Sequence, residues 1–132
     1  MAEAHVIVGV GIDLVDIARM QRLLDAKGDR ALTRLFTQHE VRYAMGRAEP
    51  ARHLAARVAA KEAAFKALSG SAGARAIGWR DMEVVVGTDG RPALCLHGRA
   101  ECRASELAVA HAWLTITHSV ATAAAVVVLE RE

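Results

Sequence analysis

Apolar positions follow two different periods along this chain, and each change of period marks an element. His5 to Asp13 is rich in Val and Ile and reads as a buried strand, with Gly9 and Gly11 on one face. From Asp16 to about Ala26 the period lengthens to that of a helix. Ile17, Met20, Leu23 and Leu24 form its apolar face, and Gly28 stops it. Asp29 or Arg30 to Leu35 reads as a further turn. Thr37 is an N-cap for a helix through Met45, and Glu40 three residues on completes a capping box. Residues 46–50 are a polar linker into a long central helix from about Ala51 to Leu68.

A loop of small residues follows, Ser69 to Ala74. Met82 to Val86 and Pro92 to Leu96 read as strands, joined by the hairpin turn Thr88-Asp89-Gly90-Arg91. Gly98 to Ala108 has helical composition. Trp113 to His118 alternates as a strand with Leu114, Ile116 and His118 on one face. Ala121 to Leu129 is an apolar run that suits a central strand. The pattern predicts an α+β fold with helices packed largely on one sheet.

The long helix has charges in unexpected places. At helical spacing Leu54, Val58, Phe65 and Leu68 form an apolar stripe, with Lys61 in its middle and Glu62 on its edge. Lys66 is one turn beyond Glu62 on the same side. Charges so placed are costly to desolvate, which points to a metal ion or a phosphate as their partner. The structural alternatives are a surface Glu62–Lys66 pair and a snorkelling Lys61.

Composition narrows the picture. The 132 residues are enough for one domain, 1–132, with one core, and 28 alanines make that core one of small side chains. A net charge of +2 gives no case for nucleic acid or a membrane surface. Cys95 and Cys102 fit neither a redox nor a zinc spacing, and read as reduced thiols of a cytoplasmic protein. No run approaches the about 18 apolar residues of a membrane span, and no basic region precedes the first apolar run as in a signal peptide.

Four further features carry candidate chemistry. Asp13 ends the first strand on the face of Ile7, Gly9 and Gly11, and the glycines leave room there for another backbone or a ligand. Asp13 either caps the next helix, a role for which Asp16 competes, or binds a ligand. With Glu62 it would suit Mg²⁺, which takes one or two protein carboxylates together with phosphate oxygens. The loop from Ser69 to Gly73 is either a plain helix exit or a backbone cradle for phosphate. His118 is either structural or, with Thr115, Thr117 and Ser119, part of an anion site. Arg19, Arg22, Arg30 and Arg34 make either a solvated basic face or a dock for an acidic partner.

Three blocks in order resemble the 4′-phosphopantetheinyl transferase superfamily, in particular its holo-acyl-carrier-protein synthases. They are Gly9 to Ile17 with Arg19, then Leu54-Ala55-Ala56-Arg57 through Lys61-Glu62-Ala63 to Lys66, then Leu114 to His118 followed by Ala123 to Val128. Phe36-Thr37 with Glu40, and Gly90-Arg91-Pro92, match between them. The resemblance implies an antiparallel sheet with a long central helix. It also implies transfer of phosphopantetheine from coenzyme A to a serine of apo acyl carrier protein, with release of 3′,5′-ADP.

By position, the resemblance makes Asp13 and Glu62 the Mg²⁺ ligands and, with Lys66, the catalytic set. Lys61 and Lys66 would neutralise phosphate, Arg57 and His118 would hold the nucleotide, and Ser69 and Gly70 would contact phosphate through the backbone. Arg19, Arg30 and Arg34 would dock the acidic carrier protein. Glu62, directly or through water, is the candidate proton acceptor. A chain of this length matches the homotrimeric type, with the site between protomers. The loop Ser69 to Gly73 departs from the Gly-Thr-Gly-Ile type of many relatives, and Trp113 stands where many have His. Two other readings use the same residues, a Mg²⁺-dependent nucleotide pyrophosphohydrolase and a non-catalytic coenzyme A-binding trimer.

Overall fold

Gly9 and Gly11 let the long helix lie directly on the first strand. In the computed structural model, which describes residues 4–132, a Cβ on Gly9 would stand 2.1 Å from the Ala67 carbonyl oxygen. One on Gly11 would stand 1.8 Å from that of Ala63. The space beside the strand is filled by a backbone. The strand is β1 (Val6–Asp16) and the helix α4 (Pro50–Ala67). Between them run α1 (Ile17–Lys27), α2 (Asp29–Leu35) and α3 (Gln38–Met45). Two short 3₁₀ turns, Ala74–Ala76 and Trp79–Asp81, lead to β2 (Met82–Val86) and β3 (Pro92–Leu96). Then come α5 (Gly98–Glu106), β4 (His111–His118) and β5 (Thr122–Arg131).

The sheet is antiparallel in the order β1-β5-β4, so the apolar run of β5 is the central strand as its pattern predicts. The hairpin β2–β3 is a separate two-stranded sheet rather than part of the first. Buried side chains form two clusters, one including Val127, Leu129 and Met82 and one including Met20, Phe36, Ala44 and Leu54, and α4 contributes to both, burying eleven of its 18 residues. Its core face differs from the expected stripe. Leu54 and Leu68 are buried, but Phe65 is 37% exposed. The innermost positions are Ala59, Ala60, Ala63, Ala64 and Ala67, packed with Val127, Leu129 and Met82. Small residues allow the close approach of helix to strand, and this explains the alanine content.

Asp16 settles the competition for the cap of α1: its Oδ1 accepts from Ala18 N at 2.9 Å and Arg19 N at 3.3 Å. Strand β1 runs on to that residue, which leaves Asp13 inside the strand and free of a capping role. The capping box of α3 forms as expected, between Thr37 and Glu40. α5 stops at Glu106, short of the expected end, and Ala108 turns the chain with a φ of +56°.

The face of the sheet away from α4 is apolar and uncovered. Val10, Ile12, Leu14 and Trp113 are each more than half exposed on it. They form continuous rungs: Val10 and Trp113 both pair with Val128, and Ile12 pairs with Val126. Among the described residues no helix is long and apolar enough to cross a membrane.

Candidate functional site

Asp13 and Glu62 meet at the junction of β1 and α4. The inward face of β1 directs Asp13 toward the helix, and Glu62 lies one turn before Lys66 on the side that receives it. Lys66 Nζ donates to Asp13 Oδ1 at 3.0 Å and to the Ile12 carbonyl at 2.9 Å. Partial burial, then a hydrogen bond to Asp13 and its charge, raise the Glu62 carboxyl above the ordinary value; Lys66 and Arg19 oppose this. Two carboxyls from different elements thus line one cavity, with a lysine against one of them. A hard divalent cation fits this all-oxygen donor set, since its charge would offset the repulsion between the carboxylates.

Cavities open on either side of Glu62. One of about 520 Å³ is lined by Asp13, Arg19, Val58, Glu62 and Trp79 among others. Another of about 390 Å³ is lined by Glu62, Phe65, Lys66, Arg75 and Trp79. Arg75 also borders a third, of about 400 Å³, with Ser69, Gly70 and Ser71. The small-residue loop therefore adjoins the carboxylate pair. Within it the Ser69 N–H is taken by the Lys66 carbonyl at 3.2 Å, so this amide is not open to a phosphate. Arg103 of α5 holds the loop by donating to the Leu68 and Ser69 carbonyls. Gly70 has a φ of +112°, a region that favours glycine.

Lys61 occupies a different place from the one expected of a phosphate ligand. It is fully buried, and Nζ donates to Glu40 Oε1 at 2.8 Å and to the carbonyls of Trp79 and Met82. All three ammonium protons are used, none toward the Glu62 cavities. Desolvation lowers its pKa, and the Glu40 carboxylate opposes the shift. Glu40 completes the network: Oε2 accepts from Val84 N at 2.9 Å. Lys61 is a structural ion-pair partner that ties α4 to α3, β2 and the turn before β2.

A second cationic group lies N-terminal on α4. The Arg57 guanidinium is 4.3 Å from the centroid of the Tyr43 ring and donates to the His53 carbonyl at 3.3 Å. It is only 4% exposed, and its Nε has no partner. Arg47 covers the same ring at 4.3 Å, and His53 packs edge-on to it. Burial lowers the His53 pKa, and the charges of Arg57, Arg52, Arg47 and His118 lower it further. Arg47, Arg52, His53 and Tyr43 were not singled out in the sequence; the only signal was a run of basic residues around the 46–50 linker.

Arg19, Arg22, Arg30 and Arg34 are all exposed on α1 and α2. Among the described residues the arginine ion pairs are those of Arg52, Arg91 and Arg103, so these four form none. Arg19 also borders the cavity of Asp13 and Glu62. Trp79 and Arg75, which border the same region, carried no motif in the sequence.

A glycine-backed strand carrying one carboxylate, crossed by a helix carrying another, defines an α+β protein with an acidic cleft at the strand–helix junction. Residues 9–126 match the 4′-phosphopantetheinyl transferase superfamily, and the chain belongs to it. It is 45% identical over 125 residues to the holo-[acyl-carrier-protein] synthase of Geobacter sulfurreducens, covering 95% of this chain and 98% of that one. Among solved structures it resembles the Mycobacterium tuberculosis acyl carrier protein synthase, with 41% identity, a TM-score of 0.71 and coverage of 96% and 100%. It also resembles the holo-(acyl-carrier-protein) synthase of Bacillus anthracis, solved in complex with CoA (3′,5′-ADP). There the identity is 31%, the TM-score 0.76 and the coverage 98% of this chain and 100% of that one.

Proposed function

We propose that this chain is a holo-acyl-carrier-protein synthase, moving 4′-phosphopantetheine from coenzyme A to a serine of an apo acyl carrier protein. The observation that carries the reading is that Asp13, held by Lys66 Nζ at 3.0 Å, and Glu62 line the same cavity. The serine oxygen forms a bond to the phosphorus that bears the pantetheine arm, the bond from that phosphorus to the 3′,5′-ADP oxygen breaks, and the serine proton leaves. Such a step depends on position and charge more than on covalent help.

Asp13 and Glu62 would hold Mg²⁺, which when bound offsets the charge of the pyrophosphate. Lys66, already fixed by Asp13 and Ile12, supplies a positive charge at the same point. Glu62, directly or through water, is the candidate acceptor of the serine proton. Arg57 and His118 hold the nucleotide end, with Arg47, Arg52 and His53 beside them. The exposed arginines of α1 and α2 dock the acidic carrier protein.

The working form is a homotrimer in the cytoplasm, with each site shared between protomers. Two features support this. The uncovered apolar face of β1-β5-β4 is of the kind that association buries. In addition, Arg57 and Glu62 are five residues apart on one helix, about 140° around its axis. One ligand would reach both more readily from adjoining protomers than from one.

Mass spectrometry of apo carrier protein incubated with the chain, coenzyme A and Mg²⁺ tests the reading. The expected result is a gain of one phosphopantetheine. Release of 3′,5′-ADP without that gain would instead identify a pyrophosphohydrolase, and binding of coenzyme A without either product a non-catalytic binder.

A further inference from the structure

On the hairpin β2–β3 a carboxylate, a thiol and an imidazole converge, sharing no residue with the Asp13–Glu62 site. Glu83 stands directly across from Cys95, and His97 follows two residues later on the same face. One ligand atom from each lies within 4.8 Å of the others, and His97 Nε2 is 3.0 Å from Glu83 Oε1. We propose that Glu83, Cys95 and His97 form a binding site for a zinc-class divalent cation.

The donor set selects the ion. Thiolate and imidazole favour zinc-like cations over Mg²⁺ or Ca²⁺, which prefer oxygen alone. Tetrahedral zinc with bonds of about 2.0–2.3 Å places its ligand atoms about 3.3–3.8 Å apart. The present spread of up to 4.8 Å exceeds that by about 1–1.5 Å, while His97 and Glu83 are already at 3.0 Å, so ligation calls for a turn of the side chains.

The backbone and the outer contacts are already in place. Strand pairing fixes Glu83 against Cys95, and the His97 N–H donates to the Asp81 carbonyl at 2.7 Å. Thr37 Oγ1 donates to Glu83 Oε2, which leaves Oε1 directed toward the cluster. Such an outer hydrogen bond is how metal-binding carboxylates are oriented. Glu83 and Cys95 are half-buried while His97 is exposed, so the site opens to solvent on the side where water would complete the tetrahedron. A cation there would fasten both strands of the hairpin at the end nearest the cap of α3.

Titration of the full chain with Co²⁺ tests this, because thiolate-to-cobalt charge transfer absorbs in the near ultraviolet and carboxylate sites give no such band. The expected result is a one-to-one band that Zn²⁺ bleaches. It is lost in Cys95→Ser, weakened at least tenfold in affinity in His97→Ala, and unchanged in Cys102→Ser and Glu62→Gln. In parallel, Zn²⁺ raises the melting temperature of the wild type but not of His97→Ala. The proposal falls if the wild type shows no band, or if the band persists in Cys95→Ser.

Discussion

Lys61 and Glu40 form a 2.8 Å ion pair in which neither side chain is exposed at all. Removing one partner leaves a buried charge without compensation, a loss of about 3–5 kcal/mol. Lys61→Met is therefore expected to lower the melting temperature by about 10 °C or more, while the KM for coenzyme A of the surviving folded fraction stays unchanged. Urea denaturation and steady-state kinetics on one preparation check this. A stable variant with a raised KM would place Lys61 back among the ligand contacts.

Gly11→Ala sets a Cβ 1.8 Å from the Ala63 carbonyl oxygen, a backbone atom that cannot swing away. The helix must lift from the strand, at a cost of about 3 kcal/mol or more. Gly73→Ala is the matched control, since its φ of −64° suits alanine and the nearest atom is 3.9 Å away. Chemical denaturation of the two variants should separate them clearly.

Glu62→Gln removes a carboxyl whose folded pKa lies above the unfolded value of 4.5. For such a group the contribution to stability is full below about pH 4.5 and is lost as pH rises through the folded value. In metal-free buffer the wild type should lose stability relative to Glu62→Gln as pH rises above about 4.5. Mg²⁺ should restore the wild type and leave the variant unaffected, and transfer activity should fall about a hundredfold or more in the variant. Thermal melts across pH, with and without Mg²⁺, report the first effect. A wild type indifferent to Mg²⁺ in those melts would remove the metal from Asp13 and Glu62.

Arg34→Glu reverses an exposed charge on α2. The KM for the carrier protein should rise about tenfold, mostly through a slower association rate, with the KM for coenzyme A unchanged. Arg30→Glu should behave alike. Equal KM values for the carrier in wild type and variants would mean that α2 is not the dock.

Ile12→Glu places a charge in the middle of the exposed rungs, where the isolated chain tolerates it and an assembled face does not. Sedimentation velocity should find a folded monomer in place of a trimer, with transfer activity lost alongside. A variant that remains trimeric would move the interface off this sheet.

Local signals were the legible ones. The capping box at Thr37 and Glu40, the stop at Gly28, the hairpin turn and the central apolar run of β5 all depend on neighbours in sequence, and all formed. What escaped depended on long separation. Glu40 read as a cap residue, yet the same carboxylate also accepts from Val84 and pairs with Lys61, on other elements. The stripe through Val58 and Phe65 ranked large side chains above alanine, while the closeness of β1 and α4 made the alanines the inner face. Asp13 and Glu62 could be paired on chemical grounds, but their meeting required the two glycines to bring helix and strand together. Lys61 was the cost of the same reasoning: a charge in an apolar stripe signals a partner, and whether that partner is a ligand or another side chain is decided by the fold.

Strand β1 is read twice. Gly9, Gly11 and Asp13 face the helix, while Val10, Ile12 and Leu14 form the outer apolar face. Because the two sets interleave at a period of two, a single-residue insertion or deletion between them would exchange their faces. The helix would then meet branched side chains, the carboxylate would turn to the outer surface, and the apolar rungs would be lost in the same event. A change of length between Gly9 and Leu14 is thus expected to cost the fold far more than a substitution there.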